Sequence, residues 1–117
     1  MLRNRLLPMF AGLIGLALAG AASAQNKYDT GATDKEIKIG QTMPYSGPAS
    51  AYGATGKTEQ AYMRMINDQG GINGRKINLI SLDDGYSPPR AVEQVRKLVE
   101  QEEVLLLWQT QIGRAHV

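Results

Sequence analysis

The sequence predicts an α/β fold on a parallel sheet, with elements running strand, helix, strand, helix, strand. Three observations carry that prediction. Residues 36–42 alternate apolar and polar side chains with the period of a strand, and residues 76–82 and 104–108 are apolar runs of strand length. Between these runs lie two stretches with apolar residues at helical spacing. Strands that alternate with helices pair in parallel through crossover connections, and this chain therefore reads as the opening half of a doubly wound domain.

Each element has a local cause. Residues 25–35 are polar and aperiodic and form a tail ahead of the fold. The first strand, residues 36–42, follows with its period of two. Residues 43–56 hold Pro44, Gly47, Pro48, Gly53 and Gly56, which predicts a long loop leading into a helix. Ala61, Tyr62, Met65 and Ile66 fall at helical spacing, and Gly70-Gly71 supplies the stop. Asn73-Gly74 is a tight-turn dipeptide. The strand over 76–82 becomes apolar on both faces toward its end, as buried parallel strands do. Ser87 is placed to cap the second helix, Pro88 suits its first position, and Ala91, Val92, Val95, Leu98 and Val99 form one apolar stripe. The continuous run Val104 to Trp108 predicts a buried third strand.

The ends of the chain set its context. Arg3 and Arg5 precede an apolar stretch from Leu6 to Ala19, and Ala22-Ser23-Ala24 offers a small-x-small cleavage site. That order describes a secretory signal peptide over residues 1–24, with Gln25 as the mature start. The apolar stretch is shorter than the roughly 20 residues a spanning helix needs. At the other end, Ile112 to Val117 is what ATC GGA AGA GCA CAC GTC encodes, a string resembling one frame of a common short-read sequencing adapter. Residues 111–117 are therefore expected to be an artefact, and His116 is given no role.

Charge excludes one class of partner. The chain carries 13 Lys and Arg against 11 Asp and Glu. Losing Arg3 and Arg5 with the leader leaves 11 against 11, and setting Arg114 aside leaves 10 against 11. No basic cluster with interleaved aromatics exists, so nucleic acid is not an expected partner. With no cysteine, the mature chain must rely on packing rather than disulfides. The stretch from Gln25 to Thr110 is small for a domain of its own, and reads as part of a longer one.

Ligands of doubly wound sheets sit outside the carboxyl ends of the strands. Residues 43–56, 84–87 and those after Trp108 lie there. Tyr45, Ser46 and Tyr52 supply hydroxyls and aromatic faces, while the glycines allow close backbone approach. Ala51 to Thr58 also comes within one residue of the phosphate-binding pattern G-x-x-x-x-G-K-[ST], and residues 77–84 mimic an apolar strand ending in a magnesium-binding Asp. Two facts weigh against an NTPase. Ala51 stands where the first Gly belongs, with eight residues between it and the strand end at Thr42, and the leader sends the chain where nucleoside triphosphates are scarce. Lys57 and Thr58 are instead expected on the surface of the helix's first turn.

Three blocks carry a family resemblance: Ile37 to Gly53 (Ile-Lys-Ile-Gly-Gln-Thr-Met-Pro-Tyr-Ser-Gly-Pro-Ala-Ser-Ala-Tyr-Gly), Ile66 to Arg75, and Leu82 to Pro88. In order and spacing they resemble the opening of periplasmic substrate-binding proteins of branched-chain amino acid ABC transporters. The resemblance implies a type I periplasmic binding fold, two α/β lobes that close on a small ligand, with residues 36–110 as part of the N-terminal lobe. It implies import of a branched-chain amino acid or a similar small carboxylate or amide, delivery to an inner-membrane permease, a monomeric full-length protein in the periplasm, and no cofactor. Carried onto this sequence, Tyr52 matches a tyrosine that packs on the ligand side chain, and Ser46 lies in a matching Ser-Gly-Pro turn. Asp83 and Asp84 match an acidic pair that organises the loop, Tyr86 is placed at the cleft mouth, and Gln109-Thr110 opens the segment that contacts the ligand's polar head. A sensory module of the same fold remains the alternative. Catalysis is not expected, because no nucleophile and base constellation is present. Residues 25–117 alone are expected neither to fold cooperatively nor to bind leucine.

Overall fold

The structure, a computed structural model, describes residues 27–110. The signal peptide expected at 1–24 and the tail expected at 111–117, with His116, lie outside the described residues. The chain runs β1 (Glu36–Met43), a 3-10 turn (Ser50–Tyr52), α1 (Gly53–Asp68), β2 (Lys76–Asp83), α2 (Pro88–Glu100) and β3 (Leu106–Leu107). The strands pair in parallel in the order β2-β1-β3, with Glu36 opposite Lys76 and Met43 opposite Asp83. The two long strands therefore end level.

Different helices cover the two faces of central β1. Gln41 bonds Glu59 of α1, and Met43 packs against Gly56 of the same helix. One residue out of phase, Gly40 lies against Leu98 of α2, and Lys38 Nζ donates to the Glu102 carbonyl beyond that helix (3.1 Å). Successive strand side chains point to opposite faces, so α1 and α2 sit on opposite sides of the sheet. Two crossovers of one hand give that result when the chain steps from β1 out to β2 and then back over β1 to β3. Burial on both sides is why β1 is buried from Gly40 through Met43 although its sequence alternates.

Helix α1 departs from its sequence reading in two ways. It begins at Gly53, inside the stretch expected as loop, because both glycines are packing sites rather than hinges. A Cβ on Gly53 would lie 2.8 Å from the Pro44 carbonyl oxygen, and one on Gly56 would meet the Tyr45 hydroxyl and Met43 Cγ. Its sheet-facing side also mixes the small and polar Gly56, Gln60 and Asn67 with the half-buried Met63. Asn67 accepts the Ile77 N–H (2.8 Å) and donates to the Ile77 carbonyl (2.7 Å), so a side chain satisfies the outer edge of β2. Ala61, Tyr62 and Met65 are exposed. The stop at Gly70-Gly71 holds: both have positive φ, with Gly71 N–H bonded to Ile66 O and Gly70 N–H to Asn67 O, the Schellman pattern. Asn73 and Gly74 both have positive φ, and Ile72 and Arg75 exchange two backbone hydrogen bonds around them, as a type I′ hairpin requires.

Helix α2 starts as expected, with Ser87 extended at the N-cap and Pro88 and Pro89 in its first turn. The Ser87 side chain makes no capping bond. Two prolines remove two of the N–H groups a cap would otherwise serve. Of the apolar stripe, Ala91 and Leu98 are buried against the sheet and Val95 is half-buried, whereas Val92 and Val99 are exposed flanks. The third strand needs correction: only Leu106 and Leu107 are strand, and both are exposed. Among the described residues β3 pairs only with β1, through bonds such as Leu105 N–H to Lys38 O, and nothing covers its other edge. The tail is also more ordered than its composition suggests. Lys38 N–H bonds Gly31 O, and the Lys27 ammonium and Arg75 guanidinium each stand over the Tyr28 ring.

Candidate functional site

Three turns meet the C-terminal ends of the strands: residues 44–52 after β1, 84–87 after β2, and Gln109 and Thr110 beyond β3. In the order β2-β1-β3 the chain reverses its direction of travel between β1 and β3, the point at which such sheets open a crevice for ligands.

Asp83, the last residue of β2, ties the first two turns together. Its Oδ1 accepts the N–H groups of Tyr45 (2.9 Å), Ser46 (3.2 Å) and Gly85 (2.9 Å), and Oδ2 accepts the Ser46 hydroxyl (2.5 Å). Arg90 Nη2 stands 3.4 Å from Oδ2. The Ser46 hydroxyl bond, joined by the backbone donors and opposed by partial burial, holds the Asp83 carboxyl at about 2, below its ordinary 3.8. So acidic a group is a poor base at neutral pH, and the Ser46–Asp83 pair organises the turns rather than forming a nucleophile and its base. Ser46 commits its only proton to Asp83, which leaves it acceptor lone pairs alone.

Asp84 anchors the second turn. It is fully buried, and its Oδ1 accepts the Tyr86 N–H (2.8 Å). That bond accompanies positive φ at Gly85 (56°) and Tyr86 (58°). The Tyr86 ring then stacks on Tyr52 across the two turns, with centroids 6.4 Å apart and planes 23° from parallel. Gly47 lets the backbones of the two turns approach, since a Cβ there would lie 3.3 Å from the Gly85 carbonyl oxygen.

Tyr52, Ser46 and Tyr86, all singled out from the sequence, thus come together on two linked turns. Gln109 (φ 47°) and Thr110 are exposed beyond β3 and make no hydrogen bond to those turns among the described residues. Tyr45 is spent on structure. Gln60 Nε2 donates to its hydroxyl (2.9 Å), which bonds Ser81 Oγ (2.5 Å), and Ser81 Oγ donates to Gln41 Oε1 (2.8 Å). Gln41 in turn donates to Glu59. Because Ser81 has one proton and gives it to Gln41, Tyr45 must donate to Ser81, and the chain runs one way from Gln60 to the Glu59 carboxylate. Sequence reasoning missed this network, although Gln41 and Ser81, polar within strands and opposite each other in register, were its signal. Lys57 and Thr58 lie on the exposed side of α1, and Thr58 Oγ1 bonds Ala54 O within the helix (2.9 Å), so the near-phosphate pattern is ordinary helix.

This geometry sits in a sequence that matches the family model described as periplasmic binding protein over residues 36–115. The chain belongs to the periplasmic binding protein family. Among its relatives, the Leu/Ile/Val-binding protein of Escherichia coli (strain K12) is 34% identical over 93 residues, covering 78% of this chain and 22% of that protein. The amino acid binding protein of Pseudomonas aeruginosa is 34% identical over 73 residues, covering 60% of this chain and 19% of its own length. The fold is similar to that of LivJ, the branched-chain amino acid transporter substrate binding protein of Streptococcus pneumoniae, solved with isoleucine. That likeness has a TM-score of 0.59 at 32% identity, over 62% of this chain and 21% of LivJ. A fatty acid ABC transporter substrate-binding protein from Thermomonospora curvata gives 0.59 at 31% identity, over 69% and 21%. The chain spans about a fifth of the length of the curated relatives it matches. In this family setting, β1, α1, β2, α2 and β3 form a small α/β piece on a parallel sheet, similar to part of the binding-protein chains it matches. Among the described residues, no helix is long and apolar enough to cross a membrane.

Proposed function

We propose that the complete protein is the periplasmic solute-binding component of an ABC transporter. It captures a branched-chain amino acid or a similar small carboxylate or amide and hands it to an inner-membrane permease, acting as a monomer without catalysis or cofactor. The observation that carries this reading is the pairing of family membership with turns already braced for a ligand. Asp83 and Asp84 lock the β1 and β2 turns at the crevice end of the sheet and leave two tyrosine rings facing outward. Residues 36–110 act as the first part of the N-terminal lobe, and the leader at 1–24 directs export. Tyr52 and Tyr86 face the solute's side group, Gln109 and Thr110 begin the segment for its polar head, and Ser46 offers acceptor lone pairs at the rim.

Isothermal calorimetry on the complete gene product tests the proposal. Saturable one-to-one binding of leucine, isoleucine, valine or another small carboxylate is the expected result. A folded protein that binds none of a panel of such solutes would overturn it.

A further inference from the structure

The Tyr86 backbone is in a conformation that its side chain does not favour. Its φ is 58°, in the left-handed region where a bulky residue is an outlier and glycine is the ordinary occupant. The fully buried Asp84 holds it there through the Tyr86 N–H. The result is an aromatic ring lifted out of the β2 turn and set nearly parallel to Tyr52 of the neighbouring turn. Neither ring goes into the core, since Tyr52 is 57% and Tyr86 41% exposed. Both stand at the carboxyl ends of the strands, where the crevice opens. Local strain kept by a buried anchor, for a ring that stays solvent-facing, points to use of the ring rather than to stability.

We propose that Tyr86 is a specificity-determining residue: with Tyr52 it forms a two-ring platform that favours a carboxylate solute bearing a flat aromatic side group over one bearing a branched aliphatic group. This rests on the solute-binding reading above and refines its ligand class. A planar ring extends an offset stack and gains the aromatic pairing term in addition to its buried area. A branched aliphatic group gains burial alone. The expected preference is roughly three- to tenfold in Kd for the aromatic partner of a pair with the same head group.

The test uses the complete gene product that carries this chain and two matched pairs of probes, phenylalanine against leucine and benzoate against isovalerate. The decisive variant is Tyr86→Gly. Glycine is at ease at a φ of 58°, so this variant should keep or raise the thermal midpoint while removing the ring. Tyr86→Phe keeps the stack and should keep the preference. Support would be tighter binding of the aromatic probe in at least one pair, a preference that Tyr86→Gly abolishes and Tyr86→Phe retains. If the aliphatic probe binds as well or better in both pairs, or if the aromatic preference survives in Tyr86→Gly, the platform is wrong while solute binding stands. If the folded wild-type protein binds neither these four probes nor the small-carboxylate panel, the solute-binding reading fails and takes the platform with it.

Discussion

The Asp83 carboxylate accepts hydrogen bonds from Tyr45, Ser46 (twice) and Gly85, and an unfolded chain holds none of these partners in place. Its folded value of about 2 lies below the ordinary 3.8. A depressed carboxylate contributes stability that is fully present above the unfolded value and disappears as pH falls through the folded one. Thermal midpoints of the complete protein should therefore fall between about pH 4 and pH 2, and Asp83→Asn should make that slope shallower. At pH 7 the variant should be less stable by about 1–3 kcal/mol, since the amide group cannot accept all of those donors. A slope unchanged in the variant would place the titration elsewhere. The sequence showed the acidic pair and its loop role. It could not show that the two carboxylates divide the work, Asp83 bridging both turns and Asp84 buried beneath Tyr86, because that division depends on the depth of each side chain.

Helix α1 shows how far an element can be read from its pattern. Its stop was legible because Gly70 and Gly71 adopt backbone angles that only glycine takes easily. Its start was not, since Gly53 and Gly56 read as loop residues until Pro44, Tyr45 and Met43 are seen to press against them. Gly56→Ala measures that pressure. Alanine gains about 1 kcal/mol of helix propensity, but overpacking against the Tyr45 hydroxyl and Met43 costs about 1–3 kcal/mol, so a net loss is expected in denaturant unfolding. Adding Tyr45→Phe should relieve the clash and make the double variant better than additive. Strict additivity would mean that the hydroxyl does not limit the space. In α2, the stripe was right at Ala91 and Leu98 and too generous at Val92 and Val99. Periodicity gives the direction of a helix's apolar side, while its neighbours decide how wide a band they cover.

At the scale of the whole molecule, the described residues leave much apolar surface exposed. Leu105 just before β3, Leu106 and Leu107 in it, Val92 and Val99 on α2, and Tyr62 and Met65 on α1 are exposed. With a buried apolar core among the described residues of only Met43, Ile77, Ala91 and Leu98, residues 25–117 expressed alone should give no sharp thermal transition and no saturable binding of leucine. A cooperative melt by circular dichroism would contradict that expectation. The same exposed residues explain why the third strand was overestimated: its apolar run predicts burial, and burial needs a neighbour on its other edge.

Sequence alone determined the parallel α/β order, the helix stop at Gly70-Gly71, the hairpin at Asn73-Gly74 and the family resemblance, because each follows from short-range backbone preference or from a local pattern of residues. Tertiary structure alone decided which faces of β1 the helices cover, that Tyr45 belongs to a hydrogen-bond chain ending at Glu59, and that Tyr52 and Tyr86 stack across two turns. Those outcomes join residues 15 to 64 positions apart, as at Tyr45–Gln60 and Lys38–Glu102. Backbone preference acts over a few residues, whereas contacts of this kind arise only when packing fixes the strand register.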